Sequence, residues 1–221
     1  MLAGYYAFSD DGRLPELSLA LLEKGLGEDG WIELCMPTRF ELTIPSFTFC
    51  WVLAVGDNLK YRKNVGFTRT MLPAVKKILD MRLTELEDGI LPCVAGERYW
   101  HFYEWVKGLE GQGRVAPDEK RFDAPLNLFF ILALESGATC AQACGDRPAA
   151  ERWRAAAAAL RERTRNKFWD PARKEFVTRL GGGVPAAELV QSLALLAKAV
   201  PPDAKEALVQ KLSEPSDWLE V

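Results

Sequence analysis

Apolar positions along the chain recur mostly at helical spacing, with turn-forming loops between the runs. From Leu14 to Gly25, Leu17, Leu21 and Leu22 share one face, with Pro15 near the start and Gly25 at the end. Pro45 to Val55 is almost wholly apolar and aromatic, which predicts a helix buried on all sides. Gly66 to Glu87 alternates Met71, Val75, Ile78, Leu79 and Leu83 with Lys76, Lys77, Arg82 and Glu85, an amphipathic pattern. Asp123 to Cys144 opens on Asp-Ala-Pro, with Asp123 as the expected N-cap. It continues through a second strongly apolar run, Leu126 to Leu134. Ala149 to Phe168 is Ala-rich and basic, Glu188 to Val200 is apolar and stops at Pro201-Pro202, and Asp203 to Leu212 is a short amphipathic helix.

Loops between these helices repeat a pattern. Glu28-Asp29-Gly30-Trp31-Ile32 precedes Cys35, and Glu87-Asp88-Gly89-Ile90-Leu91 precedes Cys93. In each, Asp-Gly forms a turn ahead of a short apolar stretch able to form a strand. A looser third version runs from Phe168 to Pro171, then Lys174 to Val177 and Gly181 to Gly183. The first two loops lie 59 residues apart, too long for a short solenoid repeat. The spacing suits a helical hairpin plus an elaborated loop. We therefore expect an all-α ring of hairpins, apolar helices inside and amphipathic ones outside, with functional loops at one end. A generic helical bundle is the alternative.

Composition narrows the function classes. The 221 residues hold 28 basic and 31 acidic groups, a net charge of −3. That balance argues against nucleic-acid binding or a polybasic membrane contact. No apolar run of about 18 residues is read from the sequence, so no membrane span is expected. Five cysteines without a C-x-x-C pair and a single histidine, His101, argue against a metal site. Cys140 and Cys144, one helical turn apart, read as small apolar helix residues. Free thiols and the absence of a signal-peptide pattern point to the cytoplasm. Gly181-Gly182-Gly183 lacks the Lys-Ser/Thr of a phosphate loop and reads as a hairpin connection. Arg152 to Lys167 reads as a solvated helix face. No cofactor motif is present.

The segment Arg98-Tyr99-Trp100-His101-Phe102-Tyr103-Glu104-Trp105 has five aromatics in eight residues, together with the one histidine. A packed corner is one reading. A sugar platform is the other, with Trp100, Tyr103 and Trp105 against the C–H face of a pyranose and His101 and Glu104 on its hydroxyls. Glycoside hydrolysis also needs two carboxyl groups, roughly 6.5–9.5 Å apart for inversion and about 5–5.5 Å for retention. The loop carboxylates Asp29, Glu33, Glu41, Asp88, Glu97 and Glu104 are candidates, with Asp29 and Asp88 reading as simple turn formers.

Three stretches together carry a family resemblance: Leu2 to Phe8, Glu28-Asp29-Gly30, and Leu42 to Phe47 followed by Trp51 to Ala54. With Trp100 to Trp105, the helix from Asp123, and Ser192 to Leu196 leading to Pro201, the chain resembles the catalytic domain of bacterial α-L-rhamnosidases, six-hairpin glycosidases. The resemblance spans nearly the whole chain and implies a partial (α/α)6 toroid and inverting removal of terminal α-L-rhamnose. It implies a general acid upstream of the Leu2 to Phe8 match and a general base beyond the Asp217-Trp218 match. Residues 1–221 would then lack the catalytic pair, leaving Glu104 as a weak catalytic candidate. Phe47 and the Glu104-Trp105 pair match substrate-side positions. The family more often has aspartate at Glu104, and an acidic residue is common at Ser46. The expected ligand is a carbohydrate, and an incomplete ring would expose apolar helix faces and self-associate. A non-catalytic helical module for sugar or protein binding, and a six-hairpin glycosidase for another sugar, are the alternatives.

Overall fold

The computed structural model describes residues 2–37, 40–111 and 114–213; the Asp217-Trp218 match lies outside them. Eight α-helices succeed one another: α1 (Leu2–Phe8), α2 (Arg13–Glu23), α3 (Pro45–Arg62), α4 (Val65–Thr84), α5 (Ala124–Cys144), α6 (Arg147–Phe168), α7 (Glu188–Leu196) and α8 (Lys205–Ser213). A two-stranded antiparallel hairpin, β1 (Trp169–Asp170) and β2 (Glu175–Phe176), pairs Trp169 with Phe176 and Asp170 with Glu175.

Short turns and long loops alternate, and this sets the architecture. Helix α3 passes to α4 through Lys63 in the left-handed region, and α5 passes to α6 through Gly145 at φ 89°. The connections before α3, α5 and α7 are long. Helix α5 packs against α3 on one side and α7 on the other, while α4, α6 and α8 pack behind. All long loops therefore gather at the N-terminal ends of α3, α5 and α7. The expected order of apolar inner and amphipathic outer helices holds.

Helix α5 is the centre of the core. By length and composition it could cross a membrane, contrary to the expectation from the sequence, but 72% of its most apolar window is buried inside the fold. Asn127, Glu135 and Ser136 keep the run from being apolar throughout. A Cβ on Gly137 would sit 2.4 Å from a Leu79 methyl, so glycine there permits the close crossing of α4. Cys140 is fully buried, and desolvation pushes its thiol up to about 12. None of the five cysteines forms a disulfide.

Four local expectations change. Helix α2 buries Pro15 and Leu19, whereas Leu17 is 67% exposed, because its inward stripe is the 15–19–22 series. Helix α1 was not expected at all. Asp123 occupies the N-cap position of α5 but its side chain caps nothing, because two arginines hold it. The first two Asp-Gly loops form single bridges, Leu26 to Ile32 and Glu87 to Ile90, in place of strands. The outer face of α6 is solvated as expected, and its arginines also staple neighbours: Arg152 to Asp80, Arg161 to Glu135 and Arg165 to the Ala199 carbonyl.

Candidate functional site

Buried polar residues on the inner helices hold the loops in place. On α3, the Thr48 hydroxyl accepts from Ile32 N–H at 3.0 Å, and the Ser46 hydroxyl donates to the Phe102 carbonyl at 3.0 Å. On α5, Asn127 pairs with both backbone groups of Leu91, at 2.7 and 3.0 Å. On α7, Gln191 pairs with both backbone groups of Phe176, at 2.8 and 2.9 Å. An amide that satisfies a loop's donor and acceptor together fixes that loop in position as well as orientation. Buried polar side chains in otherwise apolar helices signal this in the sequence.

The aromatic segment runs extended beside Thr43, which exchanges backbone hydrogen bonds with Arg98 and Trp100 at 2.8 Å each. Extended backbone sends alternate side chains to opposite sides. Trp100 and Phe102 point one way, with centroids 4.9 Å apart. Trp105 joins them, 4.6 Å from Phe102 and 5.8 Å from Trp100, and Phe47 meets Phe102 edge-on at 6.4 Å. The structure thus gathers Phe47, Trp100, Phe102 and Trp105 into one cluster. Trp105 is its open surface, 73% exposed.

His101 and Tyr103 point the other way, into the core. His101 is 1% exposed, with Nε2 2.9 Å from the Val94 carbonyl and Nδ1 unpartnered. Desolvation by burial lowers its pKa to about 4. Buried and neutral, it is a supporting residue in this geometry, apart from the hydroxyl-binding position expected for it. Tyr103, also expected as a platform, is buried and donates to Asp123 at 3.3 Å. The period-2 alternation separates these two from Trp100 and Phe102, and a bend at Trp105 takes that ring off the core-facing side on which His101 and Tyr103 lie.

Asp123 anchors the support. Its carboxylate accepts from Arg121 Nε and Nη2, the latter at 2.6 Å, and from Arg179 Nε at 2.8 Å. Burial alone would raise its pKa, but the two guanidinium groups outweigh it and hold the carboxyl below the usual value. Arg179 comes from the loop after β2, so one buried carboxylate ties the 85–123 and 169–187 loops to the start of α5.

Between those loops lies a cavity of about 400 Å³, lined by Glu104, Trp105, Leu109, Glu188, Leu189 and Ser192 among others. Glu104 Oε1 accepts the Trp105 N–H at 2.7 Å, which fixes the carboxylate beside the exposed indole. Glu188, in the first turn of α7, was not among the candidate carboxylates, because it reads as an ordinary helix-start residue. Phe47 lines a different groove, about 290 Å³, between α2 and α3 with Leu19, Leu22, Glu33 and Trp51.

The remaining candidates serve elsewhere. Asp29 is more than a turn former: Oδ1 accepts Trp31 N–H at 3.2 Å and Oδ2 accepts the Tyr99 hydroxyl at 2.7 Å. Burial first, then that hydrogen bond and charge, push the Tyr99 hydroxyl up to about 12. Asp88 sits at a positive-φ turn and pairs with Lys167 at 2.9 Å. Glu41 and Glu97 are exposed. No cluster of metal-binding side chains occurs among the described residues.

A family model described as the mannosylglycerate hydrolase MGH1-like glycoside hydrolase domain matches residues 81–220. The chain belongs to this family. The matched segment of the MGH1-like domain contains Trp100, His101, Glu104, Trp105 and Glu188; Phe47 precedes it. A GH78 family rhamnosidase of Bacillus sp. GL1 superposes with a TM-score of 0.81 at 24% identity, over 95% of this chain and 21% of that one. A rhamnosidase from Klebsiella oxytoca with rhamnose bound gives 0.73 at 16% identity, over 94% of this chain and 39% of that one. An α-L-rhamnosidase from Dictyoglumus thermophilum gives 0.63 at 14% identity, over 89% and 21%. No curated protein matches. The MGH1-like chain therefore has part of the all-α toroid fold of these rhamnosidases, and spans about a fifth to two fifths of their length.

Proposed function

We propose that this chain forms a sugar-facing wall of an inverting glycosidase that removes terminal α-L-rhamnose. The observation that carries this reading is the exposed Trp105 indole, backed by Trp100 and Phe102, at the edge of a cavity that also holds two carboxylates. An indole face takes the C–H side of a pyranose, and carboxylates accept from its hydroxyls. Rhamnose is favoured by the toroid neighbours, which are rhamnosidases, one with rhamnose bound. The family description, which names mannosylglycerate, favours a second reading, hydrolysis of a mannoside carrying a carboxylate.

The division of labour is steric and electrostatic. Trp105 sets the plane of the ring, Glu104 is held beside it by the Trp105 amide, and the Asp123 pedestal keeps both loops from shifting. On this reading the acid and base belong to parts of the glycosidase other than residues 1–221, and the chain alone is expected to bind an aryl α-L-rhamnoside without hydrolysing it. Equilibrium dialysis and a chromogenic turnover assay on the same sample test this. Saturable binding without turnover is expected. Turnover would move the catalytic role to Glu104, and absence of binding would refute the wall itself.

We further propose that the chain self-associates, because Leu17, Phe40 and Phe47 are exposed and Phe47 borders an apolar groove between α2 and α3. Light scattering is expected to give a mass above that of one chain, and a monodisperse monomer would contradict it.

A further inference from the structure

The Trp105 cavity carries an electrostatic selectivity that the rhamnoside reading does not itself require. Two of its lining side chains, Glu104 and Glu188, are carboxylates. No lysine or arginine is among its lining residues, and Lys107, close by in sequence, is exposed to solvent. Helix α7 begins at this wall with Ala187 as its N-cap, a side chain that offers the first turn no hydrogen bond. A helix start of that kind is a natural binding point for an anion. Glu188 is the acidic residue of its first turn, and negative charge there lies in the favourable field of the helix. A second anion entering the cavity would meet the negative charge of both Glu104 and Glu188, which line it.

We propose that Glu188 is a specificity-determining residue that makes this cavity select uncharged glycosides and reject those bearing a carboxylate. The inference rests on the sugar-wall reading, and it separates the two substrates weighed there, since a glycerate aglycone is an anion and a neutral rhamnoside is not. Serine at 192 and the Trp105 ring recognise both classes equally, so the discrimination falls on the two glutamates.

The test uses a matched pair of probes on the full chain, 4-carbamoylphenyl and 4-carboxyphenyl α-L-rhamnoside, which share shape and differ by one charge. In dialysis at low salt, the carboxylate probe is expected to bind on the order of tenfold more weakly. The gap should shrink severalfold in Glu188→Gln and narrow at about 1 M salt, where screening is strong. Circular dichroism of the variant establishes that it folds, and Glu188→Asp, which keeps the charge, should keep most of the gap. Equal affinity for the two probes in the wild type, or a gap unchanged in Glu188→Gln, overturns the inference while leaving the sugar wall standing. Failure of both probes to bind overturns the sugar wall and the inference with it.

Discussion

Asp123 and Glu104 are carboxylates of the same loop-rich end, and they have opposite surroundings. Asp123 is 1% exposed, with Arg121 and Arg179 filling its oxygens and Tyr103 adding a third donor. Glu104 is exposed, takes one backbone amide, and otherwise faces a cavity. A carboxylate whose lone pairs are spent inside the protein can only hold structure together. One with spare acceptor capacity beside an open indole can receive a ligand. The same contrast divides the aromatic segment, with His101 and Tyr103 committed to the core and Trp105 left for contact.

Three perturbations sharpen this contrast, in falling order of effect on stability. Asp123→Asn leaves two guanidinium groups short of their counter-charge, and should cost about 3–5 kcal/mol in urea unfolding; a loss below about 1 kcal/mol would show the pedestal to be dispensable. The second concerns acid. The unfolded chain protonates His101 near its ordinary value of 6.5, whereas the folded chain resists until about 4. Stability is therefore intact above pH 6.5 and falls by about 3 kcal/mol as the pH drops to 4. Asp123, with its folded pKa depressed, loses its own contribution at still lower pH, as its carboxylate protonates in the fold. His101→Gln, which keeps a donor for Val94, should flatten the slope between pH 6.5 and 4. An unchanged slope would assign acid sensitivity to other groups. The smallest effect belongs to the exposed side. Trp105→Ala should cost about 1 kcal/mol or less, the value of an aromatic contact, yet remove aryl rhamnoside binding in dialysis. A large stability loss with binding retained would reverse the two roles.

Much of the architecture was legible in the sequence. The apolar run from Pro45 marked its helix because burial acts locally, whereas α7 ends at Leu196 and the chain turns at the positive-φ Lys198, ahead of the expected stop at Pro201-Pro202. The wrong face of α2 has a physical cause: Leu17 and Leu21 are as apolar as Leu19, and only the neighbouring helix decides which stripe is covered. The capping role expected of Asp123 failed for a similar reason, since its partner Arg179 lies 56 residues away. Around the candidate site, aromatic density marks the segment that holds Trp105, but composition does not show which of its side chains face the core, as His101 does. Glu188 was missed because nothing local distinguishes it from other acidic residues in a first helical turn.

The central claim is that a sugar lies against Trp105. The most direct measurement follows the indole N–H resonances of the seven tryptophans during titration with methyl α-L-rhamnoside. The account predicts a saturable shift at Trp105, a smaller one at Trp100 behind it, and none at the buried Trp31 and Trp153. A Trp105 signal that stays fixed while Trp51, in the α2–α3 groove, moves would contradict the account and relocate the site to that groove.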